Sequence, residues 1–163
     1  YAHSPWGQYQ VYRQKHLLIL SSRDDELSYP FSKELVACLD NKLPIAKARP
    51  ARSINIERAF DLLRTDQFQF AVFDRGNIDK MRNATGDFSD RQPVDLGTLL
   101  EFGDMQIVVR RDFPDDLVAT VTHNIIKCRD ELSIPLNLEP QILEDPNLHE
   151  GAKEAIKDFL SHG

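Results

Sequence analysis

The sequence predicts an α/β fold, an open, mainly parallel sheet flanked by helices, and three observations predict it. The run His16-Leu17-Leu18-Ile19-Leu20 is continuously apolar after its first residue and reads as a strand buried on both faces. The aromatic and β-branched run Phe68-Gln69-Phe70-Ala71-Val72-Phe73 reads as another strand. Between them lie apolar residues at helical spacing, and the resulting β-α-β-α-β order calls for parallel strands joined by right-handed crossovers.

Each element has its own signal. A polar N-terminal arm over residues 1–14 carries Trp6, Tyr9 and Tyr12; residues 15–163 read as one domain. The first strand is bounded by Ser21-Ser22. Ser28-Tyr29-Pro30 then supplies a Ser cap and a first-turn proline for a helix whose apolar face is Phe31, Leu35, Cys38 and Leu39. Ile45 to Ala48 is expected as the second strand, closed by Arg49-Pro50, because the residue before proline favours extended geometry. Ile56, Ala59, Phe60 and Leu63 mark a second helix, with Ser53 or Asn55 as its cap. The third strand stops at Asp74-Arg75-Gly76. Arg82 to Val94 is polar and reads as a surface loop. Leu96 to Glu101 and Met105 to Arg110 form a hairpin about Gly103-Asp104, appended to the parallel core. Asp112-Phe113-Pro114-Asp115 opens the next helix with a capping-box-like pair, and Leu117, Val121, Ile125 and Cys128 are its apolar face. A proline-marked connection, Ile134 to Pro146, leads to a last helix with Ala152, Ile156, Phe159 and Leu160 on one face.

Composition narrows the function. A chain of 163 residues with 41% hydrophobic and 28% charged residues can bury a substantial core. The net charge of −6 offers no phosphate-neutralising surface, which argues against a nucleic-acid partner. The local basic run Lys47, Arg49, Arg52 and Arg58 reads as a solvated face, or as a meeting point for an anion. No apolar stretch approaches the ~20 residues that span a bilayer. The chain begins at Tyr1 and not at Met, as expected where an upstream segment is removed, a secretory signal peptide being one candidate. Cys38 and Cys128 sit singly in apolar helical patterns. They read as buried thiols, or as a disulfide between two helices if the compartment is oxidising and their Cα atoms come within ~7 Å.

No enzyme is expected. There is no Gly-x-Ser-x-Gly, no phosphate loop and no dinucleotide glycine pattern, and no cofactor is called for. The histidines, His3, His16, His123, His149 and His162, lack the spacing of a zinc site and read as surface or second-layer residues. His3 is set apart, because cleavage after Tyr1-Ala2 would leave it N-terminal, able to chelate copper through its amine and ring.

Four strings, in order along the chain, resemble the solute receptors of TRAP-type transporters in the TAXI class, which are two-lobed periplasmic binding proteins. They are Ser21 to Leu43, where a strand runs into a polar loop with Tyr29-Pro30 and a helix; Arg58-Ala59-Phe60-Asp61-Leu62-Leu63 leading to Phe70-Ala71-Val72-Phe73; Val108 to Val118; and Leu148-His149-Glu150-Gly151-Ala152, similar to a His-Pro-Gly-Ala element except at Glu150. The resemblance implies one lobe of a binding protein in the periplasm. It leaves no room between these elements for a second lobe. Such receptors close two lobes over a ligand, so one lobe would bury only part of a small molecule.

Ligands of open α/β sheets lie beyond the C-terminal strand ends, near helix N-termini. That rule collects Ser21, Ser22, Arg23 and Tyr29, then Ser53 and Asn55, then Asp74 and Arg75, a set whose arginines and hydroxyls suit a small carboxylate. The alternative for these residues is ordinary capping and loop solvation. Trp6, Tyr9 and Tyr12 are candidates for docking a partner, or pack the arm on its own domain. Two expectations follow: a non-catalytic domain that binds a small anion weakly or is accessory to a larger protein, or a pure interaction subunit with a vestigial ligand site, docking through the arm and the Arg82 to Val94 loop. The partner would be a membrane transporter, an oxidoreductase or a second copy of this chain.

Overall fold

The apolar run after His16 forms β1 (Leu18–Ser22), the centre of a parallel trio with β2 (Arg49–Ser53) and β3 (Phe70–Asp74). The structure is a computed structural model and describes residues 16–162. Trp6, Tyr9, Tyr12 and His3 therefore lie outside the described residues. The helices are α1 (Ser28–Lys42), α2 (Ile56–Arg64), α3 (Arg75–Asn83), α4 (Asp115–Lys127) and α5 (Glu150–His162). β4 (Leu96–Phe102), β5 (Met105–Arg110) and the short β6 (Leu136–Asn137) complete a six-stranded sheet of order β2-β1-β3-β5-β4-β6.

The α/β class is as expected, but the sheet is mixed, not mainly parallel. Among the described strands, only β1–β2 and β1–β3 run parallel. Gly103-Asp104 reverses the chain so tightly that β5 returns antiparallel to β4 and lies against β3 in the same sense. The hairpin thus continues the sheet through its second strand.

Alternation along the strands divides the core into two layers. Ile19, Phe70, Val72, Ile107 and Val109 face the side covered by α1, α4 and α5. Leu20, Ala71, Phe73 and Val108 face the side covered by α2 and α3. Because α1 and α2 lie on opposite faces, the chain changes face between β1 and β3, and the crevice at their C-terminal ends is the topological switch point.

Local expectations fail where tertiary context outweighs pattern. The second strand is not Ile45 to Ala48. Pro44–Ala46 is a short 3-10 turn, and the strand starts at Arg49 with Pro50 inside it. β2 is an edge strand whose Arg49 N–H bonds Leu17 O at 2.8 Å, so the next residue, Pro50, turns its missing N–H outward where no ladder bond is lost. Ser28 does not cap α1. It is the first helical residue, and its buried hydroxyl accepts the Ser22 N–H at 3.1 Å and donates to Asp25 O at 2.8 Å, closing the β1–α1 loop. Asp112 does not cap α4 but holds Arg110 at 2.9 Å.

The third strand ends at Asp74, as expected, and Asp74-Arg75-Gly76 leads directly into α3, with the Asp74 carboxylate accepting the Gly76 N–H at 2.9 Å. The Arg82 to Val94 loop is anchored inward. Arg82 belongs to α3 and donates to Leu96 O and Thr98 Oγ1, Phe88 is buried against Phe60 with ring centroids 4.5 Å apart, and Val94 is buried. Cys38 of α1 and Cys128 at the end of α4 form a disulfide, with Cα atoms 6.1 Å apart, so they are not free thiols.

Candidate functional site

The switch-point crevice is where a ligand of this architecture is expected, and the polypeptide's own carboxylates fill it. Asp25, in the β1–α1 loop, is buried, and its Oδ2 accepts the Asp74 N–H at 2.8 Å and an Asn77 Nδ2 hydrogen at 3.0 Å. Asp24 accepts the Ile56 N–H at the N-terminus of α2 at 3.1 Å and the Ser22 hydroxyl. Asp74 caps α3. Two helix N-termini that would attract an anion therefore already hold one each. Burial raises the Asp25 pKa above the usual carboxylate range. The two hydrogen bonds it accepts oppose that shift, and the nearby charges of Asp74 and Asp24 reinforce it.

Around this core, a shallow depression is lined by Asp24, Asp25, Glu26, Leu27, Asp74, Asn77 and Met105. Its acidity disfavours a carboxylate ligand. Among the described residues, no group of three or more His, Cys, Asp or Glu side chains is placed to hold a metal ion.

The eight residues collected from the sequence do meet at one end of the sheet, but most are committed to the fold. Ser21 Oγ donates to Ala51 O at 2.8 Å, and the Ser53 hydroxyl reaches Ser21 O at 3.2 Å and Asn55 O at 2.8 Å, stapling β1 to β2. Ser22 is used by Asp24 and Ser28. Asn55 caps α2 by accepting the Arg58 N–H at 2.8 Å, as one of the two expected caps. Arg75 turns toward β4 and pairs with Glu101 at 2.6 Å, and Glu101 also accepts from Gln106. Arg23 and Tyr29 alone of the eight have no side-chain hydrogen bond or ion pair among the described residues. Arg23 is exposed, and the half-buried Tyr29 ring has the Arg52 guanidinium 4.5 Å and Lys33 Nζ 4.9 Å from its centroid. Sequence reasoning missed Asp24, Asp25 and Asn77. The run Asp24-Asp25-Glu26 reads as loop solvation until β3 is placed beside it.

His149 is the other group with chemical potential, and of the two expectations for it, surface or second-layer, the surface one fails. It is fully buried. Its Nδ1 accepts the Gly151 N–H at 3.0 Å, capping α5, while Nε2 lies 3.1 Å from both Arg111 O and Phe113 O and so carries the hydrogen. Burial lowers its pKa, against the pull of Asp115. Neighbouring glycines make the fit. A Cβ on Gly97 would stand 2.8 Å from His149 Cβ, and one on Gly151 would stand 2.9 Å from Val118 Cβ and collide with the Asp115 carbonyl. The Leu148-His149-Glu150-Gly151-Ala152 string is thus a latch joining α5 to β4 and to the start of α4. With both nitrogens engaged, His149 has no lone pair to offer a substrate.

No family model matches this chain, and no curated protein matches it either.

Proposed function

We propose that this chain is a non-catalytic, extracytoplasmic domain, built like one lobe of a TAXI-type solute receptor, that serves as an interaction accessory to a larger protein and whose small-ligand crevice is vestigial. The observation that carries this reading is the filled switch point. Asp24, Asp25 and Asp74 lie where a carboxylate ligand would, on the N–H groups that would have received it.

Several features support the parts. The β2-β1-β3 parallel trio with helices on both faces suits a binding-protein lobe, as the resemblance implies. The Cys38–Cys128 disulfide points to an oxidising compartment. Among the described residues, no helix is long and apolar enough to cross a membrane. The strand-end hydroxyls of Ser21, Ser22, Ser28 and Ser53 are all engaged and His149 is locked, so none of these five is poised as a nucleophile or base.

Titration calorimetry with succinate and with glutamate tests the reading. No heat beyond dilution is expected. Saturable heat from the wild type that disappears in Arg23→Ala or Arg75→Ala would replace it with a small-carboxylate receptor.

A further inference from the structure

We infer that His149 and Asp115 form an acid-sensitive switch: a proton on His149 Nδ1 exchanges the cap of α5 for an ion pair with α4 and frees the first turns of α5. The switch lies where the end of β5 meets the start of β3, at the opposite end of the sheet from the crevice, and works independently of it.

In the closed fold the ring has room for one hydrogen. Nε2 faces two carbonyl oxygens, Arg111 O and Phe113 O, each at 3.1 Å, so the hydrogen is there. Nδ1 faces a donor, the Gly151 N–H at 3.0 Å. A second hydrogen on Nδ1 would oppose that N–H and leave a buried imidazolium with one of its two donors unused. Gly151 is pressed against the Asp115 carbonyl and has no sideways room, so the clash is relieved by the first turn of α5 drawing back. An acceptor then stands ready. Asp115, in the first turn of α4, has Oδ1 3.8 Å from Nδ1 on a side chain that is 65% exposed and free to turn toward the ring.

Other ties decide which side moves. The Thr98 N–H reaches Asn147 O at 2.8 Å and the His149 N–H reaches Thr98 O at 2.9 Å, so Leu148 and His149 are held to β4. The Arg111 guanidinium adds a bond to Leu148 O at 3.0 Å. The end of α4 is tied to α1 by the Cys38–Cys128 disulfide. The first turn of α5, by contrast, depends on His149 itself, through the Gly151 N–H on Nδ1 and the Lys153 N–H on His149 O at 2.9 Å. The buried residues of α5 are Gly151, Ala152, Ala155 and Ile156, most of them small, so parting the helix from α4 exposes little apolar area. A segment with so little apolar burial opens before the core does.

Charges around the ring set the direction. Asp115 faces it from α4, and Arg111, which also pairs with Asp95 at 3.4 Å, faces it from the β5–α4 connection. β4 meets the ring with Gly97 and brings no charge there. On α5 the nearest charged residues in sequence are Glu150, which is exposed, and Lys153, which is half-buried. Burial and Arg111 oppose the proton, and Asp115 favours it. Once α5 has withdrawn, the ring titrates near the ordinary imidazole value of ~6.5, above the closed ring. The open-to-closed ratio therefore rises by up to about tenfold per pH unit as pH falls below ~6.5.

Hydrogen exchange on the whole chain, corrected for the intrinsic pH dependence of exchange, tests the switch beside an NMR titration of the His149 ring. Protection of the α5 amides is expected to fall by up to roughly tenfold per pH unit below ~6.5, in step with the ring, while amides of β1, β3 and β5 exchange only through a larger opening. Asp115→Asn, which alters an exposed side chain, should move the midpoint down by roughly half a pH unit, and His149→Gln should leave α5 protection independent of pH. Equal loss of protection in α5 and the central strands, ring titration with no change at α5, or an unmoved midpoint in Asp115→Asn would overturn the switch. If His149→Gln does not fold, the ring titration and Asp115→Asn still decide.

Discussion

Removing the disulfide is the perturbation whose size the structure defines best. Cys38 and Cys128 are 90 residues apart in sequence, and the link ties α1 to the end of α4 across one layer of the core. Closing a loop of that length restricts the unfolded chain by roughly 4–5 kcal/mol in the chain-entropy picture. Native disulfides commonly return somewhat less, so Cys38→Ala/Cys128→Ala should lose about 3–4 kcal/mol. Both sulfurs are buried, so the alanines add a small cavity term in the same direction. A domain of this size typically has about 5–15 kcal/mol in total, so the loss would be a large share of its stability, with Tm falling by roughly 10 °C. Urea unfolding followed by circular dichroism, with and without reductant, measures it. Reduction should lower the midpoint and raise the slope, because the unlinked unfolded chain exposes more surface. Either single alanine should cost nearly as much as both, since one substitution already opens the loop. Two titratable thiols in the native protein, or a midpoint indifferent to reductant, would refute both the link and the oxidising compartment drawn from it.

Three further outcomes follow from the packing. Gly151→Ala must drive α5 away from α4, because its Cβ would strike the Asp115 carbonyl and Val118; a loss of about 2–3 kcal/mol is expected in chemical denaturation, and a change below about 0.5 would contradict the close approach. His149, with its folded pKa lowered by burial, stays neutral where the unfolded chain takes up a proton. Stability should therefore be steady above pH ~6.5 and fall as pH drops below it, a fall that His149→Gln abolishes when midpoints are compared across pH. Asp25 has the opposite sign, its folded pKa being raised. Its contribution is greatest at acid pH and is lost as pH rises from ~3.8 through the folded value, so Asp25→Asn should be at least as stable as wild type near neutrality and lack that dependence. A large destabilisation of Asp25→Asn at pH ~7 would mean that the ionised form is what the Asp74 N–H and Asn77 require.

The parts of this protein legible in the sequence are those set by near neighbours. Ile19, Phe70 and Val72 announced strands because a buried strand must be apolar over a few consecutive residues. Phe31, Leu35 and Leu39 announced α1 by helical spacing, Asn55 announced the start of α2 by capping chemistry, and Gly103-Asp104 announced the reversal between β4 and β5. Seven of the eight candidate site residues stand on or beside the ends of the parallel strands because that rule depends on strand direction alone, and the eighth, Tyr29, opens the first crossover helix.

Tertiary structure alone decided what those residues do. Pro50 is tolerated in a strand because β2 is at the edge, which no local pattern reports. Asp74-Arg75-Gly76 marks the end of a strand, and it opens a helix because Ile78 and Met81 find a buried face waiting on the sheet. His149 is a buried cap only because Gly97 and Gly151 let two other elements approach it. The crevice is filled because Asp25 meets Asp74 and Asn77, which lie 49 and 52 residues further along the chain. Local chemistry determined the elements, since helices and strands answer to periods of a few residues. The site answers to contacts between distant residues, and those exist only once β1 and β3 lie side by side.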